Sequence, residues 1–130
     1  MLFAAHSGLR YLVLLAGLLV VLHALVGLLG KREYSAATAR LAAAFAGLLH
    51  LQVLTGVAVL FTRPFHTAVV GHLFLMLAAA AVAQLTGSVV KRRPPEVRSH
   101  GPHLVGAVLA LALVAAGVMA IGRGVLQSTM

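Results

Sequence analysis

The sequence predicts an all-α integral membrane four-helix bundle, up-down-up-down, with both termini on the outer side. Three observations carry this. Of the 130 residues, 62% are hydrophobic and only 9% charged, a balance that leaves little for a soluble surface. Four apolar stretches approach the length of about 20 residues needed to cross a bilayer. Lysine and arginine are concentrated in two of the connections, which orients the helices.

The first helix is expected at about 4–29. Its apolar run is too long for a signal segment and no basic region precedes it, so it reads as a retained helix, although "SAATA" at 35–39 has the small residues of a cleavage site. The second, at about 37–61, holds Ala42, Ala43, Ala44, Ala46 and Gly47, small residues that let backbones approach closely in lipid. In the turn "TRPFH", Pro64 stops one helix and suits the start of the next. The third is expected at about 67–90, with a second small-residue run from Ala78 to Ala81. "VVKRRPPEVRSH" is the longest connection, and its prolines favour an extended path. The fourth is expected at about 103–121. Short connections make successive helices antiparallel neighbours, and the whole of 1–130 reads as one transmembrane domain.

Lys31, Arg32, Arg40, Lys91, Arg92, Arg93 and Arg98 fall in the first and third connections or beside them, whereas Arg10, Arg63 and Arg123 lie toward the other side. The positive-inside rule assigns the first group to the cytoplasm. The net charge of +8 then reflects contact with anionic headgroups of the lipid bilayer. A nucleic-acid partner is not indicated, since no soluble basic surface or aromatic platform accompanies the charge.

Cysteine is absent, which excludes disulfides, thiolate metal sites, iron–sulfur clusters and covalent haem attachment through cysteine. The only acids are Glu33 and Glu96, both in the cationic connections. Hydrolysis by paired carboxylates and proton pumping through buried acids are therefore not indicated.

The seven histidines carry the chemical information. Ionisable groups inside a bilayer are costly and point to function, and neutral imidazole ligates haem iron and other transition metals. The alternative is a ring that only hydrogen-bonds a carbonyl or a neighbouring helix. At about 1.5 Å per residue, His72 lies roughly 8–10 Å below the outer face, His50 roughly 15–20 Å from either face, and His23 roughly 5–12 Å from the inner face. His6 lies near the outer face. Matching depth makes His6 with His72, or His50 with His72, a candidate outer pair, and His23 with His103 an inner pair. His66 belongs to the outer turn. His100 and His103 read first as solvated residues of the proline-rich connection. Arg10 follows His6 by four residues and shares its helix face, where it can meet a carboxylate or snorkel to headgroups. Gln52 and Thr55 can hydrogen-bond an imidazole or a quinone carbonyl, or serve as polar glue between helices.

"HSGLRYLVLL" at 6–15, "HLQVLTG" at 50–56 and "VVGHLFLMLA" at 69–78 together resemble a group of small bacterial four-helix membrane proteins labelled cytochrome b-like. The resemblance covers the first three helices in order, and the opening motif is the most specific. It implies haem b, with the family's histidines matching His6, His50 and His72 and its arginine matching Arg10. The chain departs from the pattern at Gly71, where members often carry an acidic residue, and in a shorter connection before the third helix.

The leading expectation is thus a b-type haem protein of the bacterial inner membrane that transfers electrons, with quinone or a larger respiratory or photosynthetic complex as partner. In this reading the protein supplies axial imidazoles and a low-dielectric pocket. Two alternatives stand beside it: a cofactor-free accessory subunit docked through its Ala/Gly faces, and a copper or zinc site made by His6, His50 and His72. A chain this small exposes much of each helix, so a homodimer or a larger membrane assembly is expected.

Overall fold

The computed structural model describes residues 1–126. Four helices run in the order α1 (Leu2–Leu29), α2 (Ala36–Leu60), α3 (Ala68–Arg92) and α4 (Gly101–Ala120), with one short 3-10 turn at Pro95–Val97 before α4. Each is long and apolar enough to cross a membrane. They form a closed ring in which α1 packs on α2 and α4, and α3 packs on α2 and α4. α1 and α3 are thus diagonal partners, as are α2 and α4.

The boundaries fall within two residues of the expected ones, and local chemistry accounts for the differences. α3 continues through Lys91 and Arg92, both good helix formers, and stops at Arg93 in extended backbone (φ −74°, ψ 148°), as the residue before Pro94 must. α4 begins two residues early because Pro102 occupies its first turn, where a missing N–H costs nothing. Arg98 then folds back on the end of α3. Its guanidinium donates to the carbonyls of Lys91 (2.8 Å) and Arg93 (3.0 Å), satisfying acceptors that the helix end leaves open.

The packing is inverted relative to a soluble bundle. Leu12, Leu15, Leu18, Leu19 and Leu22 of α1 point outward, as do Leu51 and Leu54 of α2 and Phe74 of α3. The core is built from Val13, Val20, Phe45, Leu49, Met76 and a series of alanines including Ala79, Ala83, Ala107 and Ala110. Lipid solvates leucine as well as a core does, so the interior goes to residues that bring backbones together. At Gly106 a Cβ would run into the side chain of Thr86, and at Gly17 one would stand 2.9 Å from the Phe45 ring. Those two glycines mark where α4 closes on α3 and where α1 closes on α2 and α4.

Gly122 sets the exit from α4. It adopts φ +75°, a conformation glycine takes without penalty. The N–H groups of Gly122 and Arg123 bond back to the carbonyls of Met119 (2.9 Å) and Val118 (3.4 Å), the paired bonds of a Schellman-type stop. The chain reverses there and lays Arg123 across the end of the bundle.

Candidate functional site

The bundle has two polar centres, one at each end. At the end formed by the start of α1, the α2–α3 turn, the start of α3 and the end of α4, there is a cavity of about 490 Å³. His6 of α1 and His72 of α3 line it from diagonal helices, with ring centroids 6.4 Å apart and planes at 86°. Val13, Leu49, Met76 and Val114 form its apolar floor.

The protonation pattern of the two rings follows from their partners. His72 Nδ1 lies 2.7 Å from the carbonyl oxygen of Gly117 on α4. A carbonyl only accepts, so Nδ1 carries the proton. His6 Nδ1 lies 2.9 Å from Thr55 Oγ1 on α2, and the Thr55 hydroxyl donates its own proton to the Gln52 carbonyl at 3.0 Å. Thr55 must therefore accept from His6. In its neutral form each ring thus holds Nδ1–H against a neighbouring helix and keeps the Nε2 lone pair. That is how ligating histidines are oriented, their second nitrogen fixed by an outer hydrogen bond. Gln52 strengthens the arrangement by donating Nε2–H to the His6 carbonyl at 2.9 Å. Its buried Oε1 has no hydrogen-bond partner among the described residues.

Arg10 is turned inward. It is only 5% exposed, lines the same cavity, and donates to the Tyr11 hydroxyl at 3.1 Å. The shared face of His6 and Arg10, read from their spacing, is present, and Arg10 is not spread toward headgroups. His50 is placed differently. It lies exposed on the outer face of α2, its Nδ1 bonded to the carbonyl of Ala46 one turn back at 2.5 Å, and it does not line the cavity. The structure brings His6, His72 and Arg10 together and leaves His50 apart. Among the described residues, no three His, Cys, Asp or Glu side chains converge to hold a metal ion.

The opposite end holds a packed polar cluster. His23 Nε2 bonds Thr38 Oγ1 at 2.8 Å, and Thr38 Oγ1 lies 3.4 Å from His100 Nδ1. Tyr34, in the α1–α2 connection, bonds His103 Nε2 at 2.8 Å and stacks on that ring at 5.6 Å and 12°. His100 and His103 are each 3% exposed, so the expectation of solvated loop residues is corrected. The short 3-10 turn and Pro102 carry them under the bundle rather than out to water. The inner pairing also changes, because the ring facing His23 belongs to His100, at 5.9 Å. Nε2 of His23 and of His103 are consumed by Thr38 and Tyr34. The void that touches His103 is about 10 Å³, room for one water at most. Burial raises the Tyr34 phenol above its ordinary pKa of 10.0, partly opposed by the Arg98 charge.

Sequence reasoning anticipated the depth match of His6 with His72 and the capacity of Thr55 to hold an imidazole. It missed the Gly117 carbonyl, the Thr38–His100 contact, and the approach of Arg63 and Arg123 to one ring, that of Phe3. Backbone acceptors and loop ends leave no spacing signal in a sequence. No protein-family model, no curated protein and no solved structure matches this chain.

Proposed function

We propose that the chain binds one b-type haem between His6 and His72 and transfers electrons within the membrane. The observation that carries this is that His6 and His72 line one cavity from diagonal helices, with Nδ1 of each bonded to a neighbouring helix through Thr55 and Gly117. The donor set suits the group. Neutral imidazole is a usual ligand of haem iron, and the His6 and His72 rings stand with centroids 6.4 Å apart. A cavity of about 490 Å³ lies within the range that takes a cofactor, about 300–1,000 Å³. Bound haem would supply one-electron redox chemistry. His6 and His72 would hold it, Thr55 and Gly117 would fix their orientation, and the apolar walls would keep water away. The resemblance carried by "HSGLRY" supports the same reading, with quinone or a larger membrane complex as the electron partner. His50 has no part in this site.

Absorption spectra of the purified protein, oxidised and then dithionite-reduced, test the proposal. The expected result is a Soret band and a sharp reduced α band of bis-imidazole haem, lost in both His6→Ala and His72→Ala. A protein purified from haem-replete cells that shows neither band, and takes up none on titration with haem, overturns it and favours the cofactor-free accessory subunit.

A further inference from the structure

Three arginines line the cavity at this end of the bundle, and two of them approach one aromatic ring. Arg63 leaves the end of α2, Arg123 follows the reversal at Gly122, and Arg10 comes from α1. All three line the cavity that holds His6 and His72. Arg63 lies 3.8 Å from the centroid of the Phe3 ring, and Arg123 lies 5.2 Å from the same ring. One aromatic ring therefore gathers two like charges. Glu33 and Glu96 sit in the connections at the opposite end. Like charges held beside one ring repel one another, whereas cation–π contact with that ring is a modest attraction. An anion seated between them relieves the repulsion, and guanidinium is the side chain best matched to a carboxylate or phosphate.

We infer that Arg63 and Arg123, steadied on Phe3, form a seat for the anionic end of the cavity's ligand. The apolar floor and the cationic mouth together select an amphiphile with a rigid apolar body and paired acidic groups. This rests on the haem reading above, and for haem the acidic groups are its two propionates. The same anion chemistry is available from the phosphate of a lipid headgroup, and the experiment separates the two sources.

The full-length protein in neutral detergent is titrated with haem b and, separately, with haem dimethyl ester, whose propionates carry no charge. Formation of the bis-imidazole spectrum is followed. The ester should bind about ten-fold or more weakly than haem b, the scale of a lost charge-assisted hydrogen bond. The Arg63→Gln/Arg123→Gln double variant should lose the same factor for haem b and nothing for the ester. Haem b affinity should be equal in nanodiscs of neutral and of anionic lipid. Equal binding of both haems by the unaltered protein overturns the inference while leaving the haem reading intact. So does an equal loss for both haems in the double variant, which would indicate a structural role. Competition by anionic lipid assigns the seat to a headgroup and also overturns it. A failure of both haems to give the spectrum sinks the haem reading and this inference together.

Discussion

His72 of α3 donates its Nδ1–H to the carbonyl of Gly117, 2.7 Å away on α4. Gly117 is one of the last four residues of α4, whose carbonyls have no partner within their own helix. The N–H of Ile121, four residues on, bonds Val118 instead. A histidine from one helix thus caps the end of another, and the same bond fixes its tautomer. His72→Phe keeps the ring volume and removes the donor. The expected loss is about 1–3 kcal/mol of stability, the cost of stranding one buried acceptor. Faster amide hydrogen exchange at 118–121, in protein without cofactor, would report it. Unchanged exchange there would mean the cap contributes nothing.

Thr55 relays between His6 and the backbone of α2, accepting from the imidazole and donating to the Gln52 carbonyl. Thr55→Val preserves shape and removes both functions. Haem affinity should fall about 10–100-fold, as for other lost outer-shell partners of a ligating histidine, and Thr55→Ser should restore most of it. Spectrophotometric titration measures both. If valine binds as well as threonine, the hydroxyl does not orient His6.

Gly56 faces the His6 ring so closely that a Cβ would stand 2.9 Å from Cε1. Gly56→Ala should push the imidazole off its bond to Thr55 at a cost of about 1–3 kcal/mol. The helices should persist by circular dichroism while the bis-imidazole spectrum weakens. A variant with the unaltered spectrum would show that the ring moves aside freely.

The architecture was legible because lipid imposes long apolar spans and the cationic connections punctuate them. Helix ends shifted by one or two residues where Pro102 and Arg93 override the hydropathy signal. Depth follows from residue count, and it left two outer pairs open, His6 with His72 and His50 with His72. Helix rotation was not legible, because leucine, alanine and valine occur on every face of these helices and no polar stripe marks the interior. Rotation decides His50, whose motif reads as a site residue but whose ring points away from the cavity. It also decides His100 and His103, whose burial depends on how the chain re-enters the bundle after Pro95.

His50→Leu should therefore leave the haem spectrum and affinity unchanged. The ring is exposed on α2 and, among the described residues, bonds the Ala46 carbonyl of its own helix. Replacing a polar group that faces hydrocarbon removes a desolvation cost, so thermal stability in detergent should stay level or rise. A variant stripped of haem would contradict the placement of His50 outside the site.

Tyr34 ties the α1–α2 connection to α4 through His103 at 2.8 Å. Burial raises the phenol above its ordinary pKa of 10.0, and the Arg98 charge opposes the shift without cancelling it. The sign follows from linkage. The folded protein holds the phenolic proton more tightly than the unfolded chain, so this stabilisation is fully present below the unfolded value near pH 10. It is lost as pH rises through the higher folded value. Stability of the solubilised protein should accordingly fall above about pH 10, beginning at the cationic end of the bundle. Tyr34→Phe removes the titrating group, so its stability should be lower at neutral pH but flatter through the same alkaline range. Denaturation curves from pH 8 to pH 11 compare the two proteins; parallel curves would mean that Tyr34 does not govern the alkaline transition.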